Sequence, residues 1–467
     1  MMAVRLLHER SLGSDSMWHE YVDSLPRSSR LSVLIRDELL DIANNIVFAN
    51  NARKHRSTLK VIYEVLILPE GVFATLSPTP PPTFQEFVNA WSVVASRSFG
   101  VESVATMVPV PDFANHNHSA CDIAETLETD TGATRGSSYH ENSRMSDFVL
   151  KATRAYKEGE DLNVCYHRHA ANSMLLSNWG FTMDNNSRDY VLIEAISPGW
   201  DESNQNQMID LTRGGAIAEK KRRIKKIMRL LKLTNTCIFL SSESPLKRVL
   251  TTALQTAVAG CHLTIGLNML EPEVLKDSMR RTRGCELETV EEMPKKKSSC
   301  NVEELRKFLE REVDARVKKT DMAAVFIGKL LRAEVDVIKP PPTQYARKVL
   351  ARTINRSKRR GGGGEEKEEE KEERDVVNLL RIRHGMLRVI RQSLVEQVIK
   401  FAQAQGLDRD VEQAEAENLV QICRLNFQKE RKMSSTPDGT DLSKKIVEVA
   451  SRHYDEISGY FYYSDDT

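Results

Sequence analysis

Between Val101 and Ile193 the hydrophobic period shortens to two, whereas apolar residues on both sides of that stretch recur at helical spacing. This change constrains the fold more than any other feature, because short strands enclosed by helices must bury one face each within a mixed domain. Before the change, Met2-Ala-Val-Arg-Leu-Leu-His-Glu9 reads as part of a helix with no cap in front of it. Trp18, Tyr21 and Leu25-Pro26 form an aromatic hook, and Leu34, Leu39, Ile42 and Ile46 then recur near helical spacing. After the proline-rich Ser77–Pro82, Thr83 followed by Glu86 is a capping box. The helix it starts carries Phe84, Phe87, Trp91 and Val94 on one bulky face, so it is expected to be buried and to deliver Arg97 to a fixed place.

Within the central stretch, Phe148, Leu150 and Ala152 alternate with polar residues, as do Leu162, Val164 and Tyr166. The turn residues Lys157–Glu160 between them predict a hairpin. The polar run from His118 to Asp147 is expected to be a surface loop. Asn172 is placed to cap a short helix containing Leu175 and Leu176, with Gly180 near its end, and Tyr190–Ile193 is a further strand. After about Ser197 the pattern is helical throughout: Ile217, Ile224, Ile227 and Leu231, then Val302, Leu305, Leu309 and Val313, then Leu380, Leu387, Ile390, Leu394 and Val398. The basic residues Lys220–Lys226 fall opposite the first of these faces and read as a solvated helix surface. Dense glycines and blocks of like charge over residues 356–374 predict an expanded loop.

A chain of 467 residues implies two or three domains. Its 67 basic and 66 acidic residues cancel, so no bulk field indicates nucleic acid or an anionic membrane. No apolar run approaches the roughly 20 residues that span a bilayer, and the first ten residues lack the apolar core of a signal peptide. Seven scattered cysteines without a Cys-x-x-Cys pair favour a reducing compartment. The expectation is a soluble intracellular protein, with cytoplasm, nucleus and plastid not distinguished.

The chemically rich residues lie between Ser96 and Asp189. Asp112, His116, His118 and Cys121 are zinc-ligand types, and His167 with His169 makes a second His-x-His pair, but neither paired Cys-x-x-Cys nor His-Glu-x-x-His spacing frames them. The reading taken is no metal. No Gly-x-Ser-x-Gly elbow marks a nucleophile. Taken in order, the same stretch contains Ser96-Arg97-Ser98-Phe99, Pro111-Asp112-x-x-Asn115-His116, Gly159-Glu-Asp-Leu-x-x-x-Tyr166, Asn172, Leu175-Leu176, Trp179-Gly180-Phe181, Asn186 and Asp189-Tyr-Val191.

This order resembles the C-terminal half of a SET domain, in the class typified by the Rubisco large-subunit lysine methyltransferase. The resemblance implies an α+β fold: a partial SET (β-clip) domain with a helical insert, followed by an all-α substrate-binding-like domain. The boundaries it implies are 1–100 for the helical insert, 101–196 for the C-terminal half of the SET domain, and 197–467 for the helical domain, including loop 356–374.

The function implied is S-adenosylmethionine-dependent N-methylation of lysine in a protein substrate, with histidine an open alternative as acceptor. Methyl transfer requires a neutral amine held in line with water excluded, and lysine ordinarily titrates near pH 10.4, so a desolvated channel must favour its neutral form. The resemblance makes Tyr166 the catalytic tyrosine. It assigns Arg97, Asn115, His116 and Phe181 to the cofactor, and Asp112 and Trp179 to the substrate channel. Three departures accompany it. The strands with a Gly-Arg-Gly-like turn that open the family's domain are expected to be missing, the chain being read as shortened at its start; Trp179 stands where the family has a tyrosine; and His167 follows Tyr166 where the family has glycine, its side chain expected to crowd the product side. Indole cannot accept a hydrogen bond from an amine. The rival reading is therefore a degenerate SET protein that serves as an interaction module.

Overall fold

The computed structural model describes residues 2–66, 81–101, 104–117, 123–128, 147–152, 154–167, 170–194, 211–231, 233, 236–240, 263–267, 269–281, 302–356, 368–405 and 413–431. Helices predominate, with a few short strands. The chain divides into two compact units, Met1–Asp189 with Lys339–Gly385, and Tyr190–Ile338 with Met386–Thr467.

The first unit begins with α1 (Met2–Leu12), α2 (His19–Ser24), α3 (Asp37–Leu40), α4 (Ile46–Leu66) and α5 (Phe84–Arg97). The capping box at Thr83 is formed in both directions: Glu86 N donates to Thr83 Oγ1 at 3.2 Å, and Thr83 N donates to Glu86 Oε2 at 2.7 Å. From that fixed start α5 buries Phe87, Val88, Ala90 and Val93 against Val4 and Leu6 of α1 and Leu31 and Val33 of the loop after α2. Phe84 and Trp91, expected on the same face, are partly buried against this core. Apolar burial on both sides of α5 sets where its last residue, Arg97, emerges.

The strands come in pairs. β1 (Ser98–Val101) and β2 (Val104–Met107) are antiparallel. β3 (Asn115–His116) runs parallel to β6 (Asn163–Val164), and β4 (Ile123–Glu128) is antiparallel to β5 (Asp147–Ala152). The expected hairpin between 148–152 and 162–166 is therefore not formed. Each run is extended, but β5 pairs with β4, which lies inside the polar stretch expected to be loop, and β6 pairs with β3. Alternation specifies an extended conformation and a face; it does not specify the partner.

Helix α6 (Asn172–Asn178) has Ala171 at its N-cap and no side-chain cap of its own, which corrects the expectation that Asn172 caps it. The cap comes from elsewhere: Asp189 Oδ1 accepts the Asn172 N–H at 2.7 Å, placing a carboxylate at the helix N-terminus. Gly180 closes the other end with φ +82, its N–H reaching Leu175 O at 3.0 Å.

Residues 368–374, expected in a loop, belong to helix Glu368–Ala404. The partners of that stretch's buried residue, Glu372, explain the difference. Glu372 accepts from the Tyr345 hydroxyl, from Arg36 Nη1 at 3.1 Å and from Arg352 Nη2 at 3.0 Å. The glycines at 361–364 lie outside the described residues.

In the second unit β7 (Tyr190–Glu194) pairs antiparallel with β8 (Thr236–Leu240), so the region after Ser197 is not helical throughout. Helix α7 (Leu211–Leu230) buries Ile224, Ile227 and Met228 with Leu231, Leu275, Leu309 and Val313, the core predicted from its apolar stripe. On its opposite side Arg222 and Arg223 both turn to Glu219 of the same helix. No helix among the described residues is long and apolar enough to cross a membrane.

Candidate functional site

A cavity of about 400 Å³ in the first unit is lined by all seven residues singled out from the sequence: Arg97, Asp112, Asn115, His116, Tyr166, Trp179 and Phe181. Ser29, Ser96 and Phe113 complete the lining. The end of α5, the turn before β3, the end of β6 and the C-terminal turn of α6 each contribute part of the wall. Residues 97 to 181 are thus brought together by four separate local structures.

The parallel β3–β6 pair sets the centre. Asn115 N and Asn117 N donate to Leu162 O and Val164 O, both at 3.3 Å. Two residues beyond Val164, the Tyr166 N–H donates to His116 Nδ1 at 3.0 Å and the Tyr166 hydroxyl donates to Ala114 O at 2.5 Å. His116 therefore presents Nδ1 as an acceptor, with its proton on Nε2 when the ring is neutral. The tyrosine is held at both ends, and its phenolic oxygen, with its hydrogen directed at a carbonyl, presents its lone pairs.

Around it the rings make a nearly continuous wall. Tyr166 lies 5.6 Å from Trp179 and 5.2 Å from His116 between centroids, and His116 lies 5.7 Å from Phe181. Gly180 lets Trp179 and Phe181 both face this wall, because a side chain there would strike the Arg30 backbone at 2.8 Å. His167, expected to crowd the site, is exposed and is not part of the lining.

Opposite the rings is a charged corner. Arg97 Nη1 donates to Asp112 O at 2.9 Å and to Asp112 Oδ2 at 3.3 Å, and the Tyr21 hydroxyl donates to the same Oδ2 at 3.0 Å. Burial and the adjacent Asp112 carboxylate push the Tyr21 phenol well above its ordinary range. Arg97 Nε and Nη2 make no hydrogen bond among the described residues. Asp112, whose side chain is 0% exposed, has its Oδ1 without a hydrogen-bond partner. A buried acceptor without a donor costs stability. The corner thus offers two open donor nitrogens, both on Arg97.

Sequence reasoning did not find Ser29 or the role of Tyr21. Ser29 Oγ lies 2.6 Å from Ser96 Oγ, and Ser29 N donates to Ser92 Oγ at 3.0 Å, which ties the loop after α2 to α5. A Ser-Ser pair between two arginines carries no signature; only Tyr21, as part of the aromatic hook, stood out. His118, Cys121 and His169 lie outside the described residues. Among the described residues no three metal-ligating side chains gather.

No protein-family model matches the chain. It is 24% identical over 197 residues to the chloroplastic [fructose-bisphosphate aldolase]-lysine N-methyltransferase of Arabidopsis thaliana, a match covering 40% of this chain and 38% of the relative. It is also 24% identical over 208 residues to SET domain-containing protein 4 of Mus musculus, covering 41% of this chain and 43% of the relative. The matched region therefore spans less than half the length of these curated relatives. Among solved structures, the chain superposes on the SET domain of LSMT bound to lysine and AdoHcy with a TM-score of 0.52 and 17% identity, over 88% of this chain and 77% of the other. The likeness is one of fold: this chain has a SET-type fold, as the order of its motifs implied.

Proposed function

We propose that this chain is a SET-type protein-lysine N-methyltransferase that uses S-adenosylmethionine. The observation that supports it best is the convergence of Arg97, Asp112, Asn115, His116, Tyr166, Trp179 and Phe181 on one cavity of about 400 Å³, within the size range of small-molecule sites. The matched relatives, one of them a lysine methyltransferase by name, lend support from outside the chain. In this reading residues 1–100 are the helical insert of a SET domain, 101–196 its C-terminal half, and 197–467 a substrate-binding-like domain.

The donor set fits the cofactor. The open Nε and Nη2 of Arg97 suit a carboxylate, which a guanidinium grips as a fork. Asn115 offers an amide for the amino-acid end, and the His116 and Phe181 rings offer flat apolar surface for a purine. When bound, S-adenosylmethionine supplies a methyl group on a positively charged sulfur.

The remaining work belongs to the protein. The Tyr166–Trp179–Phe181 wall excludes water, which favours the neutral form of a lysine amine entering beside it. Asp112, held by Arg97 Nη1 and the Tyr21 hydroxyl, fixes the turn that borders the channel. The Tyr166 oxygen, fixed by Ala114 O, would orient the reacting groups through polar contacts. Trp179 contributes an aromatic face for the substrate side chain in place of a hydroxyl.

Calorimetric titration with S-adenosylmethionine tests the reading. Saturable binding is expected, lost in Asn115→Ala and kept in Tyr166→Phe, with methyl transfer reduced about a hundredfold or more in the latter, as for other positioned groups. Absence of saturable binding to the folded chain overturns it. Saturable binding without transfer to any protein or peptide favours the second reading, an interaction module, which the substitution of Trp179 for a tyrosine supports.

A further inference from the structure

A second cavity, of about 420 Å³, adjoins the first through Ser29, which lines both. Its wall carries Arg27 and Arg30 from the loop after α2 and Lys371 from helix Glu368–Ala404, against a single carboxylate, Asp375. Arg30 and Asp375 are engaged with neighbours, whereas Arg27 and Lys371 make no ion pair among the described residues. A further cation is close by. Arg10 donates to Pro26 O at 2.8 Å, and burial, followed by repulsion from Arg27, weakens its hold on its proton, with Asp23 offsetting part of that repulsion. Like charges held together around a concavity raise each other's energy, and an anion seated among them reverses the sign of that interaction.

From this geometry we infer that the second cavity receives an acidic side chain of the substrate polypeptide, close in sequence to the residue that enters the first cavity. The inference rests on the proposed methyltransferase reading for what enters the first cavity. The occupant is a side chain on a polypeptide because the two concavities share a wall. Adjacent cavities of this size have centres roughly 9–10 Å apart, about three residues of extended chain at about 3.3 Å each. An Asp or Glu about three residues from the acceptor then reaches Arg27 and Lys371 while the acceptor side chain lies beside Tyr166. A carboxylate there makes charge-assisted hydrogen bonds to donors that make no ion pair among the described residues.

The test uses the full chain and fluorescein-labelled peptides with a central lysine and one Glu, Gln or Arg placed two, three or four residues to either side. Polarisation is read without cofactor, and transfer of labelled methyl is read separately with it. Glu three residues away is expected to bind about tenfold more tightly than Gln, and the preference should shrink as salt rises. Arg27→Gln with Lys371→Gln should abolish the discrimination, and Arg27→Glu with Lys371→Glu should turn it toward the Arg peptide. Equal affinity for Glu and Gln, or a Glu preference that survives charge reversal, overturns the inference. Selective Glu binding without methyl transfer leaves the anion site standing and counts against the enzyme; methyl transfer indifferent to Glu does the opposite.

Discussion

Asn172 holds the aromatic wall in place from behind, and removing its amide should release that wall. The side chain is 1% exposed. Its Nδ2 donates to Met183 O at 3.0 Å and to Asp189 Oδ2 at 3.0 Å, and its Oδ1 accepts from Met183 N at 2.8 Å. Asn172→Ala loses all three and leaves the Met183 peptide groups and a buried carboxylate short of partners. With about 1 kcal/mol for each neutral bond and about 2 for the bond to a charged group, the loss is about 4 kcal/mol. The segment Trp179–Met183 is then tied to α6 mainly through its Gly180 turn. Hydrogen exchange read by mass spectrometry on peptides covering 170–189 should show opening at least a hundredfold more frequent than in wild type. Asn172→Asp is the informative companion. It keeps an acceptor for Met183 N but sets a second carboxylate against Asp189, so it should be worse at neutral pH and recover as one of the pair takes up a proton in acid. Exchange within about threefold of wild type in Asn172→Ala, or an aspartate variant indifferent to pH, would refute the reasoning.

Gly180→Ala is expected to cost about 2–4 kcal/mol, because φ is +82 and the added Cβ meets Arg30 N at 2.8 Å and Arg30 C at 2.9 Å, both backbone atoms. A thermal melt unchanged from wild type would rule out so close an approach. Glu9 accepts from Ser16 Oγ at 2.5 Å and has Arg5 Nε at 2.7 Å; the serine bond first, and then the arginine charge, hold its carboxyl below the usual range against the opposing effect of burial. A lowered folded-state value means that its stabilisation is present above the ordinary carboxylate value of about 4.3 and is lost as pH falls through the folded one. Melting temperature measured against pH should therefore drop less steeply in acid for Glu9→Gln than for wild type, and parallel curves would contradict this. Glu372→Gln removes the charge facing Arg36 and Arg352, whose side chains are 51% and 32% exposed. Because water recovers part of the loss, about 1–2 kcal/mol is expected, shrinking as salt rises in urea titrations.

Local chemistry made several of these elements legible in advance. The Thr83–Glu86 box starts α5 where two side chains three residues apart say it should, and the apolar face of α5 carries Arg97 to the cavity it was expected to line. Leu175 and Leu176 mark α6, Gly180 ends it, and the alternation at Tyr190–Ile193 is a strand. The seven residues that line the first cavity were singled out because their order along the chain resembles that of the SET motifs. None of this required knowing what lies across from what.

Partnership is what the tertiary structure decided. The runs at 148–152 and 163–164 alternate as a hairpin would, but β5 finds β4 and β6 finds β3, since a strand's pattern states which face it buries and leaves the edge it joins to long-range packing. The cap of α6 is the carboxylate of Asp189, beyond the reach of any local capping signal. Lys371, within a charge-dense run that reads as loop, stands in a cavity wall with Arg27 because Glu372 beside it is gripped by Arg36, Arg352 and Tyr345 and holds that turn as helix. The sequence by itself determined where most of the helices run, the start of α5 and the end of α6, and the identities of the groups that could meet; only folding determined that Asp112 would keep one buried oxygen unmatched and that two cavities would share Ser29. The reason is physical: propensity and periodicity act over a few residues, while a hydrogen bond left open or a charge left unpaired is settled by whichever distant segment arrives at that point.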